Sequence, residues 1–189
     1  MRHSALILMV FTLPLVGQTT WGGLRFGMTE MEVRAAMGDR LETIVDPPGP
    51  ESYIPFHVKS VVIGRASGVA NLAFDIQKKT LRAVGLDLSR TEKFTGDAPE
   101  MGPRAAGYDD VSKSLLQKYG KPVDEVGRCP TMEEVLDYFI RDHFNRGPLG
   151  TIKCSRLWRE PQQTIEMKVD VIGSALFLTV SYKPLPSEL

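Results

Sequence analysis

The sequence predicts an α+β fold in which an antiparallel sheet is packed by helices. Three observations carry that expectation. Apolar residues recur at every second position at Ala70, Leu72, Phe74 and Ile76, and again at Ile165, Met167 and Val169, the period that leaves one face of a strand buried and the other in water. Thr29 with Glu32, and Thr131 with Glu134, form two capping boxes, where hydroxyl and carboxylate satisfy backbone amides at a helix start. Tyr108, Val111, Leu115 and Tyr119 recur at helical spacing between the two β-rich stretches.

Taken in order, the first helix starts at Thr29, with Met28 and Val33 spaced as a hydrophobic staple. Ala35, Ala36 and Met37 continue it, and Gly38 can supply a left-handed cap. A helix this short takes its stability from packing. Asp46-Pro47-Pro48-Gly49-Pro50-Glu51 reads as an exposed loop, because its prolines lack donors and restrict their neighbours. Tyr53 to Ile63 is β-rich, and Gly64 to Gly68 reads as a turn. The strand containing Ala70, Leu72 and Phe74 turns at Lys78-Lys79-Thr80 into Leu81 to Leu88, whose Val84, Leu86 and Leu88 form the facing apolar row of a hairpin.

From Ser89 to Gly107, Gly96, Pro99, Gly102, Pro103 and Gly107 accumulate, which marks a connector. A second helix is expected from about Asp109, with Asp109 and Asp110 at its positive end and Gly120 and Pro122 stopping it. Thr131 and Glu134 open a third, built on Val135, Leu136, Phe139 and Ile140 and ending by Gly147. Gly150 to Trp158 reads as a strand. Ile165 to Val169 and Leu176 to Tyr182 form a last hairpin around Gly173-Ser174, closed by Pro184 and Pro186. The order can be divided into two helix-plus-β-hairpin units, residues 24–88 and 108–182, or taken as one α+β domain over 21–189.

The 189 residues are 42% hydrophobic and 24% charged, the composition of a chain with a core. The 23 basic and 23 acidic residues cancel, so no global positive field is available to attract nucleic acid, and no nucleic-acid partner is expected. Residues 1–20 read as a secretory signal peptide: a basic start at Arg2, an apolar run from Ala5 to Val16, and small or polar Gly17-Gln18-Thr19-Thr20. The run falls short of the roughly 20 residues of a membrane span. A periplasmic or secreted protein without a stable membrane span is expected. Removing residues 1–20 takes away Arg2 and no acid, leaving 22 basic and 23 acidic residues, so the near-neutrality survives processing.

Export bears on the two cysteines. Cys129 and Cys154 are a pair, and in an oxidising compartment an even count favours a disulfide. Two alternatives use His143 between them, as a third metal ligand or as the base for a thiolate nucleophile, although no zinc-type ligand spacing is present. Elsewhere the signatures of a serine hydrolase, a zinc protease or a phosphate loop are missing. Gly22, Gly23 and Gly27 lack dinucleotide spacing and read as turn residues. Glu133, Glu134, Asp137 and Asp142 read as the solvated face of the third helix. Arg141, His143 and Arg146 form a small basic patch, His57 and His143 lie in separate halves, and Trp21 and Trp158 read as packing residues. No catalytic residue, metal or cofactor is assigned.

Trp21-Gly22-Gly23-Leu24-Arg25-Phe26-Gly27-Met28-Thr29 with Glu32-Val33 resembles the opening W-x-G-L-x-F-G-M-T-x-x-E-V of a group of uncharacterised exported bacterial proteins. Tyr119-Gly120-Lys121-Pro122, Trp158 and the closing Ser181-Tyr182 resemble later parts of that group. The Gly-Met-Thr-x-x-Glu-Val element is also similar to the start of the small lipoprotein of the outer-membrane β-barrel assembly machinery, and to the tandem units of β-lactamase inhibitor proteins. The resemblance implies helix-plus-antiparallel-sheet units, export and protein binding without catalysis. The lipid-accepting cysteine of the lipoprotein is absent, and no inhibitory contact residue aligns. An exported binding module with an envelope or extracellular protein as partner is therefore expected; a small-ligand carrier and a thiol-dependent or hydrolytic envelope enzyme are the alternatives.

Overall fold

Glu32 and Glu134 fold back onto the threonines three residues before them. In this computed structural model, which describes residues 21–44, 49–89, 101–144, 150–173 and 175–185, helix α1 spans Glu30–Met37. Glu32 N donates to Thr29 Oγ1 at 3.3 Å, and Thr29 N to Glu32 Oε2 at 2.7 Å. Gly38 ends the helix at φ 56°, ψ −134°, a positive φ but not the left-handed helical well expected for it. Helix α2 spans Met101–Tyr119, and α3 spans Met132–His143 under the matching Thr131–Glu134 box. Residues 1–20, expected as a signal peptide, residues 46–48 of the proline loop, Gly96, Pro99, Arg146, Gly147, Ser174 and Pro186 lie outside the described residues.

Among the described residues, eight strands form one antiparallel sheet: β1 (Leu41–Thr43), β2 (Ser52–Ile63), β3 (Ala66–Asp75), β4 (Leu81–Asp87), β5 (Asp124–Val126), β6 (Ile152–Glu160), β7 (Gln163–Ile172) and β8 (Ala175–Pro184). Their spatial order is β1-β2-β3-β4-β8-β7-β6-β5. In chain order, each half has a helix, a short edge strand and a three-stranded meander, β2-β3-β4 in the first and β6-β7-β8 in the second, and the halves meet where β4 pairs with β8; α3 is inserted between β5 and β6. The expected turn over residues 64–68 is shorter, since β3 begins at Ala66. On β2, Ser60 adopts φ 55° at a register shift between Val58 and Val61. That bulge interrupts the part of the strand that β1 leaves uncovered, one of the ways a sheet edge resists further pairing.

From Met101 onward, α2 corrects the expected connector over 89–107 and the helix start near Asp109; residues 90–100 of that connector lie outside the described residues. Pro103 lies in the first turn, where its missing N–H would have had no helical partner. Gly107 is buried against the β2–β3 hairpin, and a Cβ there would lie 3.1 Å from Ala66 N. Asp109 and Asp110 are consequently mid-helix rather than at the positive end. Asp109 pairs with Lys113 one turn on, at 2.7 Å, and Asp110 holds Arg65 of the hairpin.

One row of side chains crosses six strands in register and is buried throughout: Phe56, Leu72, Val84, Tyr182, Ile165 and Trp158. Val33 and Met37 of α1, Val111 and Leu115 of α2, and Val135 and Phe139 of α3 belong to the same core. The three described helices therefore pack on the same face of the sheet. Arg34 stacks its guanidinium 4.2 Å from the Phe56 ring centroid, closing α1 over β2. Trp158, 1% exposed, donates its indole N–H to Gly120 O at 2.9 Å, tying the end of α2 to β6. Arg156 on the same strand reaches both Ser112 Oγ of α2 (2.9 Å) and Glu125 Oε2 of β5 (2.7 Å). No described helix is long and apolar enough to cross a membrane.

Candidate functional site

The alternation that sends Val84, Val180 and Ile165 inward sends their neighbours to the opposite face. Glu42, His57, Asn71 and Gly85 run in register across β1 to β4. Ser181, Glu166, Leu157 and Asp124 continue the row across β8, β7, β6 and β5. Beside it, Val69, Asp87, Thr179, Lys168, Ser155 and Val126 make a second row. No described helix packs on this face.

Its relief follows from side-chain size. Midway along β3, β4 and β8 the face carries Asn71 and Ala73, Ala83 and Gly85, and Thr179 and Ser181, with Val69 and Asp87 at one end of this stretch. Longer side chains stand on either side: His57 and Lys59 on β2, Glu166 and Lys168 on β7, Leu157 and Arg159 on β6. With strands about 4.8 Å apart, the low centre is roughly 10 Å wide, close to the width of an α-helix with its side chains and ample for an extended segment. Phe177 and Ile172, 48% and 50% exposed, crown the same face near the β7–β8 turn.

At the β1 margin, Glu42 stands between His57 Nε2 and Lys59 Nζ, both at 2.6 Å. The Lys59 hydrogen bond first, and the His57 bond second, hold the Glu42 carboxyl below its ordinary range. On the helix-covered side, Tyr53 donates to Glu30 Oε1; burial, then that carboxylate, push its hydroxyl up to about 12. Among the described residues, one hollow opens beside the start of β6 and another at the ends of β4 and β8. One, of about 380 Å³, lies among Arg128, Glu134 and Lys153, where Arg128 already pairs with Glu134. The other, of about 540 Å³, lies among Phe26, Leu81, Arg82 and Lys183.

Cys129 and Cys154 are joined by a disulfide, with their Cα atoms 5.1 Å apart, and both are buried. The bridge ties the loop ahead of α3 to β6 and leaves neither sulfur as a free thiolate. His143 is exposed at the end of α3, its ring edge-on to Phe144 at 5.0 Å. Among the described residues, no group of three or more His, Cys, Asp or Glu side chains is placed to hold a metal ion. Glu133 and Asp137 are exposed on α3, while Glu134 caps the helix. Gly22, Gly23 and Gly27 all take positive φ and shape the turn that carries buried Leu24 into the core.

The β1–β2 contact was hidden from sequence reasoning because β1 is three residues long and shows no alternation. Its only signal was Leu41-Glu42-Thr43 following the Gly38 helix stop. Comparison with protein-family models, curated proteins and solved structures finds no match to this chain.

Proposed function

We propose that the chain is an exported, non-catalytic binding module that receives an envelope or extracellular protein on the uncovered face of its sheet. The observation that carries this reading is the concentration of all three helices on one face, which leaves opposite them a broad surface with a low centre and taller, mixed-charge margins. Such a surface suits a protruding segment of a folded partner, which gains backbone proximity at the small residues and polar contacts at the rim. The signal-like residues 1–20, the near-neutral charge, the disulfide and the resemblance of the Trp21–Val33 opening to exported proteins all support the same reading.

The small-ligand reading is favoured by one separate observation, the hollow of about 540 Å³, whose volume falls in the range of small-molecule sites. A thiol enzyme would first have to open the Cys129–Cys154 bridge. The experiment that tests docking is capture from an envelope extract on immobilised chain beginning at Trp21. The wild type and a Gln117→Arg variant on the exposed side of α2 retain the same protein, and Thr179→Arg in the low centre loses it. Equal retention by all three would remove the open face from the account.

A further inference from the structure

Between the ends of the two central strands, the segment ahead of α1 takes the place that β8 vacates. Gly27 N donates to Leu81 O at 2.9 Å, Leu81 N donates to Met28 O at 2.7 Å, and Thr29 bridges to Thr80. β4 and β8 pair from Asp87 and Thr179 to Val84 and Tyr182, and beyond that point Leu81 turns its backbone groups to the entering segment. Leu185 N, at the far end of β8, donates to Gln162 O instead. The two strands part there, and the hollow of about 540 Å³ opens at the parting.

Its lining divides into two kinds of surface. Phe26, Leu81, Pro184 and Leu185 supply apolar wall, and Lys78, Arg82 and Lys183 supply three cations. The one carboxylate in the lining, Asp75, is already engaged. Its Oδ1 accepts from the amides of Gln77 and Lys78, at 2.9 and 2.7 Å, and these bonds keep it ionised and fixed in the β3–β4 turn. Arg82 reaches Glu51 at 2.9 Å on the outer surface. Lys78 and Lys183 form no ion pair with a described carboxylate. Among the described residues, three cations against Asp75 and the Glu51 partner of Arg82 leave a net positive rim around a recess of mixed apolar and polar lining at the junction of the two halves.

We propose that this recess binds a small amphiphilic carboxylate, its anionic head held between Lys78 and Lys183 and its apolar part against Phe26, Leu81 and Pro184. The site is independent of docking on the open face, so either assignment can fail alone. Only a head bearing negative charge uses the two lysines, and only a compact apolar body uses the wall, so an alcohol of the same chain length binds more weakly.

The test uses octanoate as probe and octanol as its uncharged counterpart, titrated into the isotopically labelled chain beginning at Trp21 and followed by amide NMR shifts. Octanoate is expected to shift Thr80, Leu81, Arg82 and Leu185 saturably. Octanol binds at least fivefold more weakly, and the Lys78→Gln, Lys183→Gln double variant, whose unfolding midpoint matches the wild type, loses affinity for octanoate by at least fivefold. A chain ending at Leu185 keeps the octanoate affinity. Equal binding of octanoate and octanol, shifts centred elsewhere, or undiminished affinity in the double variant would overturn the proposal, as would loss of binding in the chain ending at Leu185.

Discussion

Asp110 of α2 accepts three hydrogen bonds from Arg65 in the β2–β3 turn: from the backbone amide at 2.8 Å, and from Nε and Nη2 at 2.7 Å each. The bidentate guanidinium contact fixes orientation as well as distance. Together with Gly107 against Ala66, it seats α2 on the first meander, while Trp158 and Arg156 seat its later turns on the second. α2 is thus the strap that ties both halves of the sheet to the described helices on one face.

The Arg65 side-chain and backbone bonds, in that order, pull the Asp110 carboxyl down to about 2 from its ordinary value of 3.8. A depressed carboxylate pKa stabilises the fold above the unfolded value, and that contribution is lost as pH falls through the folded one. Asp110→Asn is therefore expected to lower stability at pH 7, with its deficit relative to wild type shrinking between about pH 4 and pH 2. Urea unfolding midpoints across that range check it; a deficit that does not change with pH would assign the loss to packing rather than to the ion pair.

Gly64 precedes Arg65 at φ 58°, and a Cβ there would lie 2.5 Å from Asp110 Cβ. Gly64→Ala is expected to cost about 3 kcal/mol, because backbone strain and displacement of the Asp110 clamp act together. Gly120→Ala, at φ 73° with nothing within 4 Å of the new Cβ, should cost only about 1 kcal/mol. Chemical denaturation of the two variants separates crowding from conformational strain.

The Cys129–Cys154 bridge spans 25 residues and encloses α3. Replacing both cysteines by alanine should lower stability by about 3 kcal/mol while preserving the strand content. Alkylation followed by mass spectrometry should find no reactive thiol in the native chain and two after reduction. Labelling of either cysteine before reduction would instead leave a thiol available for chemistry.

Much of the fold was legible. Alternation at Ala70–Phe74 and Ile165–Val169 located the hairpins, and two threonine–glutamate pairs marked helix starts, because those signals are local. The early turns of α2 were not legible. Pro103 and Gly107 are helix breakers by propensity, and only the first-turn position of one and the contact of the other with Ala66 make them acceptable. The three-residue β1 and β5 exist through their partners β2 and β6, information that no short window contains. The open face was half legible: alternation showed which residues point away from the core. The register joining Gly85 to Ser181, and the gathering of the described helices on one side, depend on contacts between distant parts of the chain.

Docking on the open face is tested most directly by crosslinking in cells that express the chain with its first 20 residues. A photoreactive residue in place of Thr179, exposed on β8 in the low centre, is expected to join one protein species upon illumination. The same residue in place of Gln117, exposed on α2, should join none. Crosslinks from position 117 without any from 179, or none from 179 in a cell that exports and retains the protein, would contradict the account.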